Sequence, residues 1–206
     1  MAKVLLAVPT FENIYPDTYK ALWDMDKGGH DVTFEFVRGY DCATARNKCA
    51  QMAMDMGADY LMMVDNDVTV PRDALAHLME HNVDVVSGWY AHRDKVNGDT
   101  CRTNVCKTGE INYTMQYEGD ELKRMAREGN VLVRIHGGGM GCILIKTEVF
   151  KRTTYPWYDW VNYNNAKHTM LSEDLFFCEK CKGAGIKVYV DTRVGCGHMF
   201  RTIKTF

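Results

Sequence analysis

Strand-length apolar runs alternate with helical patterns through the first half of this chain, and that alternation constrains the fold more than any other feature. The runs cover residues 4–8, 32–37, 60–64 and 83–87. Helical patterns fill the gaps at 17–27, 43–56 and 72–81. The first stops at Gly28-Gly29 and the second at Gly57, while the third opens behind Pro71, a residue suited to a first helical turn. Strands joined by helices need crossover connections. The expected fold is therefore α/β, with a mixed, mostly parallel central sheet flanked by helices.

The second half changes character. Residues 101–117 read as short strands and turns, and 121–128 as a short helix. Strands at 131–135 and 142–146 flank a glycine-rich stretch from His136 to Gly141. Ser172 is placed to cap a helix that runs to Lys182 and stops at Gly183. Short strands follow at 187–190 and 194–196. With no repeat, low-complexity tract or linker, the 206 residues are expected to form a single domain, 1–100 making one half and 101–206 the other. A net charge of −2 offers no attraction to nucleic acid or an anionic membrane. No run approaches a membrane span, and the run at 4–8 is too short for a signal segment and ends at Pro9. A cytoplasmic protein is expected, with its eight cysteines reduced.

Asp65-Asn66-Asp67 follows directly on the strand at 60–64. Ligands of open α/β sheets bind outside the carboxyl ends of the strands. Two carboxylates one residue apart at such an end make a negative, oxygen-rich corner, which suits a hard divalent cation that also holds substrate phosphates. His198, in Gly195-Cys196-Gly197-His198, can complete a Mn²⁺ site as a neutral imidazole. Arg46 and Asn47 begin the second helix near the same edge, where a guanidinium and exposed helix N–H groups suit diphosphate oxygens. Glu173 and Asp174 sit in the first turn of a late helix, where the macrodipole favours acids. The aromatic run 155–160, like Trp89 and Tyr90, reads as packing before it reads as a platform for sugar rings.

In their order along the chain, these motifs resemble the GT-A class of glycosyltransferases, most nearly the family 2-like members. Val8-Pro9-Thr10-Phe11 ends the first strand, Ala45-Arg46-Asn47 opens the second helix, and Asp65-Asn66-Asp67 follows the third strand. Gly137-Gly138-Gly139 precedes a late strand, Glu173-Asp174 opens a late helix, and His198 comes near the end. The resemblance implies a Rossmann-like, nucleotide-binding GT-A domain, its first half holding a nucleotide sugar and its second half facing the acceptor. It implies a hexosyltransferase that moves one sugar, with inversion, from a UDP- or GDP-linked donor to a hydroxyl on a glycan, a protein or a modified base. Mn²⁺ or Mg²⁺ would be the cofactor, and a homo-oligomer is compatible with such an enzyme. Asp67 would bind the metal directly, joined by His198, and Asp65 would serve both the ribose and the metal, the latter through bound water. Asp174 would remove the acceptor proton with Glu173 in support, a role that typically supplies about 10²- to 10⁴-fold in rate. Pro9 and Thr10 would lie against the nucleobase. Arg46, Asn47 and Asn66 would sit with the diphosphate, and Gly138 and Gly139 would border the donor sugar.

The chain departs from that family at three places. After the first-strand proline, Glu12 precedes Asn13, where the family shows the reverse order. The second strand ends Val37-Arg38-Gly39-Tyr40-Asp41, with Asp41 alone in place of the paired acids that hold base and ribose, so the nucleobase is left open. No Gln-x-x-Arg-Trp element follows Glu173-Asp174, which argues for one sugar per encounter. Two rival readings use the same residues. Cys178, Cys181, Cys196 and His198 are ligand types that zinc takes, as in a zinc-binding interaction module. A sugar nucleotidyltransferase would share the acidic corner but would want a glycine-rich, arginine-containing loop where Pro9-Thr10-Phe11-Glu12-Asn13 stands.

Overall fold

A computed structural model describes residues 1–92, 102–108, 115–164 and 169–199. The first half runs β1 (Lys3–Thr10), α1 (Pro16–Asp24), β2 (Asp31–Arg38), α2 (Cys42–Asp55), β3 (Tyr60–Val64), β4 (Val68–Thr69), α3 (Ala74–Glu80) and β5 (Val85–Trp89). The second runs β6 (Arg102–Cys106), β7 (Gln116–Glu118), α4 (Gly119–Arg127), β8 (Leu132–Ile135), β9 (Gly137–Gly138), β10 (Cys142–Lys146) and α5 (Glu148–Arg152). It closes with β11 (Val161–Asn164), β12 (Thr169–Leu171), α6 (Glu173–Gly183), β13 (Val188–Gly195) and β14 (Gly197–His198). Cys101 and parts of the stretch expected as short strands and turns lie outside the described residues. Among the described residues no helix is long and apolar enough to cross a membrane, and the described cysteines are unbridged.

The central sheet has seven strands in the order β2-β1-β3-β10-β5-β13-β8. β2, β1 and β3 run parallel, as do β5 and β13, and β10 and β8 are antiparallel to their neighbours. The period-two alternation of the strands divides the core into two layers. Leu5, Ala7, Leu61, Met63, Ile143 and Ile145 face one side, with Cys49, Ala50 and Ala53 of α2 and Phe177, Cys178 and Cys181 of α6. Val4, Leu6, Val8, Met62, Val64 and Leu144 face the other, with Leu22 of α1 and Leu75 and Leu78 of α3.

Helix α2 carries Arg46 and Asn47, and its ends are fixed locally. Asp41 caps it by accepting the Thr44 amide at 2.9 Å. At the far end Gly57 turns left-handed, with φ +60°, a conformation that costs a glycine little. The two short strands expected near the C-terminus are one strand, β13, with a register shift between Val190 and Gly195. Its polar middle is held by tertiary pairing: Asp191 is fully buried, with His81 at 2.7 Å and Arg193 at 2.6 Å. The short helix α5 and the β11–β12 hairpin carry too few residues to stand out by periodicity.

Asn47 ties α2 to the aromatic stretch before α6. It donates to the Tyr158 carbonyl at 2.7 Å and accepts the amides of Trp157 and Tyr158 at 3.0 and 3.2 Å. Trp157 and Tyr158 are buried, with Tyr158 stacked on Phe177 at 4.8 Å, so the middle of the run is packing, as expected, whereas Tyr155 and Trp160 at its ends are exposed. Asn47→Ala strands two amides and a carbonyl and is expected to cost about 2–4 kcal/mol in chemical unfolding. A loss under about 0.5 kcal/mol, the range of a neutral surface change, would mean that the stretch is held by other contacts.

Candidate active site

Three parallel strands, β2, β1 and β3, end side by side, and a cleft of about 660 Å³ opens over their carboxyl ends. Pro9 and Thr10 line it from β1, Asp65, Asn66 and Asp67 from the turn after β3, and Gly139 from the glycine-rich stretch. Arg46, Glu173, Asp174 and His198 complete the set of expected residues on its walls. Asn47 and Gly138 do not line it. The Asn47 amide is spent on Tyr158 and Trp157, and Gly138 pairs with Val105 behind the cleft wall. Asn66 acts as a staple: its amide donates to the Asn13 carbonyl at 2.6 Å and holds the loop after β1 in place.

Arg46 departs from the expectation. Its side chain is 3 % exposed and is enclosed by a ring of three carboxylates at the cleft wall. Nη1 lies 3.0 Å from Asp65 Oδ1 and Nη2 3.1 Å from Asp65 Oδ2. Nε lies 3.4 Å from Glu173 Oε1 and 3.2 Å from Asp174 Oδ1. Burial works against its charge, and the surrounding carboxylates more than offset that, so it stays a cation. Helix α2 supplies the guanidinium, the end of β3 one acid, and the first turn of α6 the other two.

The two acids of α6 divide. Glu173 is 6 % exposed and faces Arg46, whereas Asp174 is 18 % exposed and opens on the cleft. Burial pushes the Asp174 carboxyl up to about 7, against the pull of Arg46, with Glu173 and Asp65 adding to the rise and the Met140 amide opposing it. Among the described residues its Oδ1 is a buried acceptor with no hydrogen bond.

His198 reaches Asp67 through backbone pairing. β14 pairs antiparallel with β4, which follows the acidic triplet directly, and the Met199 amide donates to the Asp67 carbonyl at 2.7 Å. His198 Nδ1 lies 2.9 Å from the Ala91 carbonyl, which can only accept, so the neutral ring keeps its lone pair on Nε2. That Nε2 is 3.8 Å from Asp67 Oδ2. Asp65 does not join them in one coordination sphere, because its carboxylate is committed to Arg46.

Two supports lie outside the motifs, Tyr90, which the sequence marks only as packing, and Asn104, which it does not mark. Tyr90 is buried beneath His198, edge to face at 4.9 Å, and its hydroxyl accepts the Gly141 amide at 3.2 Å. A Cβ on Gly139 or Gly141 would fall 2.4 or 2.8 Å from the Tyr90 side chain, which is why this stretch is glycine. Asn104 links the Tyr90 amide, at 2.8 Å, to the Gly139 carbonyl, at 3.1 Å.

The zinc arrangement does not form among the described residues. Cys178 and Cys181 face the core beneath α6, Cys196 lies against Cys142 in the opposite layer, and His198 is in the cleft. The three acceptor groups that do converge, Glu80, His81 and Asp191, already surround the Arg193 guanidinium.

No family model matches the chain, and no curated protein matches it. Solved structures share its fold. A197 from STIV aligns with 97 % of this chain and 86 % of its own at a TM-score of 0.62 and 17 % identity. GalNAc-T7, solved with UDP, GalNAc and Mn²⁺, aligns with 98 % of this chain at a TM-score of 0.62 and 13 % identity, and the chain spans 44 % of it. S. aureus TarS 1–349, in complex with UDP-GlcNAc, aligns with 98 % of this chain at a TM-score of 0.54 and 14 % identity, and the chain spans 60 % of it. At these identities the likeness establishes the fold. It is the mixed, mostly parallel α/β arrangement of the GT-A class.

The raised carboxyl of Asp174 has a consequence for stability. A group that binds its proton more tightly when folded stabilises the protein at low pH, and that contribution is lost as pH rises from the unfolded value near 4 to the folded value of about 7. Asp174→Asn is therefore expected to melt close to the parent at about pH 4 and above it at pH 8. A difference that does not grow with pH would show that Asp174 is ionised across the range.

Proposed function

We propose that this chain is a metal-dependent glycosyltransferase that moves one sugar from a nucleoside-diphosphate sugar to an acceptor hydroxyl. The observation that carries this reading is the meeting, in one cleft, of the Asp67–His198 pair and of Asp174, a partly exposed carboxyl raised to about 7. The uridine nucleotides in the GalNAc-T7 and TarS structures support a uridine-linked donor.

The donor set fits a divalent cation. Asp67 offers a carboxylate oxygen and His198 a neutral imidazole nitrogen oriented by the Ala91 carbonyl, a pair that favours Mn²⁺ and also admits Mg²⁺. Such a cation, when bound, offsets the charge on a departing diphosphate. Asp67 and His198 would hold it, and Asp65, fixed by Arg46, would face the ribose or a water on the cation. Asp174 would take the proton of the acceptor hydroxyl on the part of its carboxyl that opens on the cleft, and a carboxyl that titrates near neutrality suits that work. Inversion would follow if the acceptor oxygen, losing its proton to Asp174, bonds to the anomeric carbon from the face opposite the carbon–oxygen bond that breaks as the diphosphate leaves. Arg46 would position Asp174, with Glu173 completing its ring of charge.

Asp67→Ala is expected to abolish transfer and Mn²⁺-dependent nucleotide binding while the protein stays folded by circular dichroism. Full activity in that variant would remove the proposal. Asp174→Asn is expected to lower turnover by about 10²- to 10⁴-fold with donor affinity kept. Normal turnover with weakened donor binding would contradict its role as base.

A further inference from the structure

A histidine that holds a cation needs its ring fixed in orientation as well as in place. The last torsion of a histidine side chain is broad, so its surroundings must supply that orientation. The contact of His198 Nδ1 with the Ala91 carbonyl, at 2.9 Å, fixes one atom of the ring and leaves it free to rock about that atom. The surface that meets the rest of the ring is Tyr90, whose centroid lies 4.9 Å from that of the imidazole at an interplanar angle of 65°. Tyr90 and Ala91 are successive residues, and the Cys196 amide donates to the Trp89 carbonyl at 2.7 Å. Residues 89–91 are thus the template on which the segment bearing His198 is laid.

Tyr90 is itself clamped at both ends. Asn104 Oδ1 accepts its amide at 2.8 Å, and the Asn104 amide donates to its carbonyl at 3.0 Å. At the tip the hydroxyl accepts the Gly141 amide at 3.2 Å, and the Gly141 carbonyl accepts the Asp65 amide at 3.0 Å. Tyr90 therefore links the backbone at Asp65, through Gly141, to the imidazole beside Asp67. The fit is close. Tyr90 is 7 % exposed, and a Cβ on Gly139 would lie 2.4 Å from its hydroxyl oxygen but 3.4 Å from the ring carbon that bears it.

We propose that Tyr90 is a positioning residue for the metal: its ring orients the His198 imidazole, and the choice of Mn²⁺ over Mg²⁺ depends on that ring. The inference rests on the metal pair of the transferase reading and goes beyond it in naming what sets the preference for one cation. Mg²⁺ takes oxygen ligands in near-ideal octahedral geometry, whereas Mn²⁺ accepts an imidazole nitrogen beside oxygen. A well-aimed nitrogen therefore adds affinity for Mn²⁺ and little for Mg²⁺. An imidazole left to rock gives up that difference. Groups that orient a metal-binding histidine are typically worth about 10- to 100-fold in metal affinity.

The test is titration calorimetry of Mn²⁺ and of Mg²⁺, each with saturating UDP, on the full chain and its variants. Tyr90→Leu is expected to weaken Mn²⁺ by about tenfold and to leave Mg²⁺ within about twofold. Tyr90→Phe, which keeps the ring, is expected to retain the parent's preference. In a double-mutant cycle, Tyr90→Leu is expected to add nothing to the loss of Mn²⁺ affinity in His198→Gln. Gly139→Ala pushes on the Tyr90 hydroxyl and is expected to lower the Mn²⁺ preference. Tyr90→Phe in the same chain removes that clash and is expected to restore it. Should Tyr90→Leu fail to fold, this Gly139 pair carries the test. Equal weakening of both cations by Tyr90→Leu, losses that add in the cycle, or a Gly139→Ala defect that Tyr90→Phe does not relieve would overturn the inference while the transferase reading stands. Parent-like Mn²⁺ binding in His198→Gln, or no binding of Mn²⁺ and UDP by the parent, would remove the metal pair and the inference together.

Discussion

A guanidinium taken out of water must be neutralised where it lies, and the three carboxylates that do this for Arg46 give the cleft its form. They come from two places far apart in sequence, the end of β3 and the first turn of α6, so the ion pairs also lock these two elements to α2. Three acids against one cation leave the corner negative before Asp67 is counted. Protonation of Asp174 relieves part of that excess, which is one physical reason its carboxyl is raised. A divalent cation beside Asp67 and His198 would relieve more. Burial first, and that excess of negative charge with it, raises the Asp174 carboxyl to about 7, and the same excess would suit a cation.

The frame of the sheet was legible because its signals are local. Alternating apolar residues, the glycines after α1 and α2 and the proline before α3 marked seven of the first eight elements to within a few residues, the two-residue β4 being the one missed. What was not legible was set by partners distant in sequence. The polar middle of β13 read as a break between two strands, and it is held by distant partners: His81 pairs with the buried Asp191, and Glu80 with the neighbouring Arg193. The cysteines of α6 have the spacing of metal ligands, yet the helix turns both to the core, where a thiol behaves as a small apolar group.

The candidate site shows the same division. The motif order brought Pro9, Thr10, Asp65, Asp67, Asp174 and His198 to one cleft. It did not reveal which way side chains turn. Arg46 and Asn47 stand in the expected place at the start of α2 but face inward, one to carboxylates and one to the backbone at residues 157–158. Tyr90 and Asn104 carried no motif, since their work is to fill the space against glycines and to bridge two strands. Asp41, expected as a stand-in for base-reading acids, is a helix cap, an alternative that Thr44 three residues later does announce.

The central claim is that one cation is held jointly by His198 and the donor diphosphate. Pulsed electron paramagnetic resonance on the Mn²⁺–UDP complex of the full chain tests it most directly. The account predicts ¹⁴N coupling from an imidazole together with ³¹P coupling from the diphosphate in the same spectrum, with the ¹⁴N signal absent in His198→Gln. Phosphorus coupling with no nitrogen coupling in the parent protein, as for Mn²⁺–UDP free in solution, would contradict it.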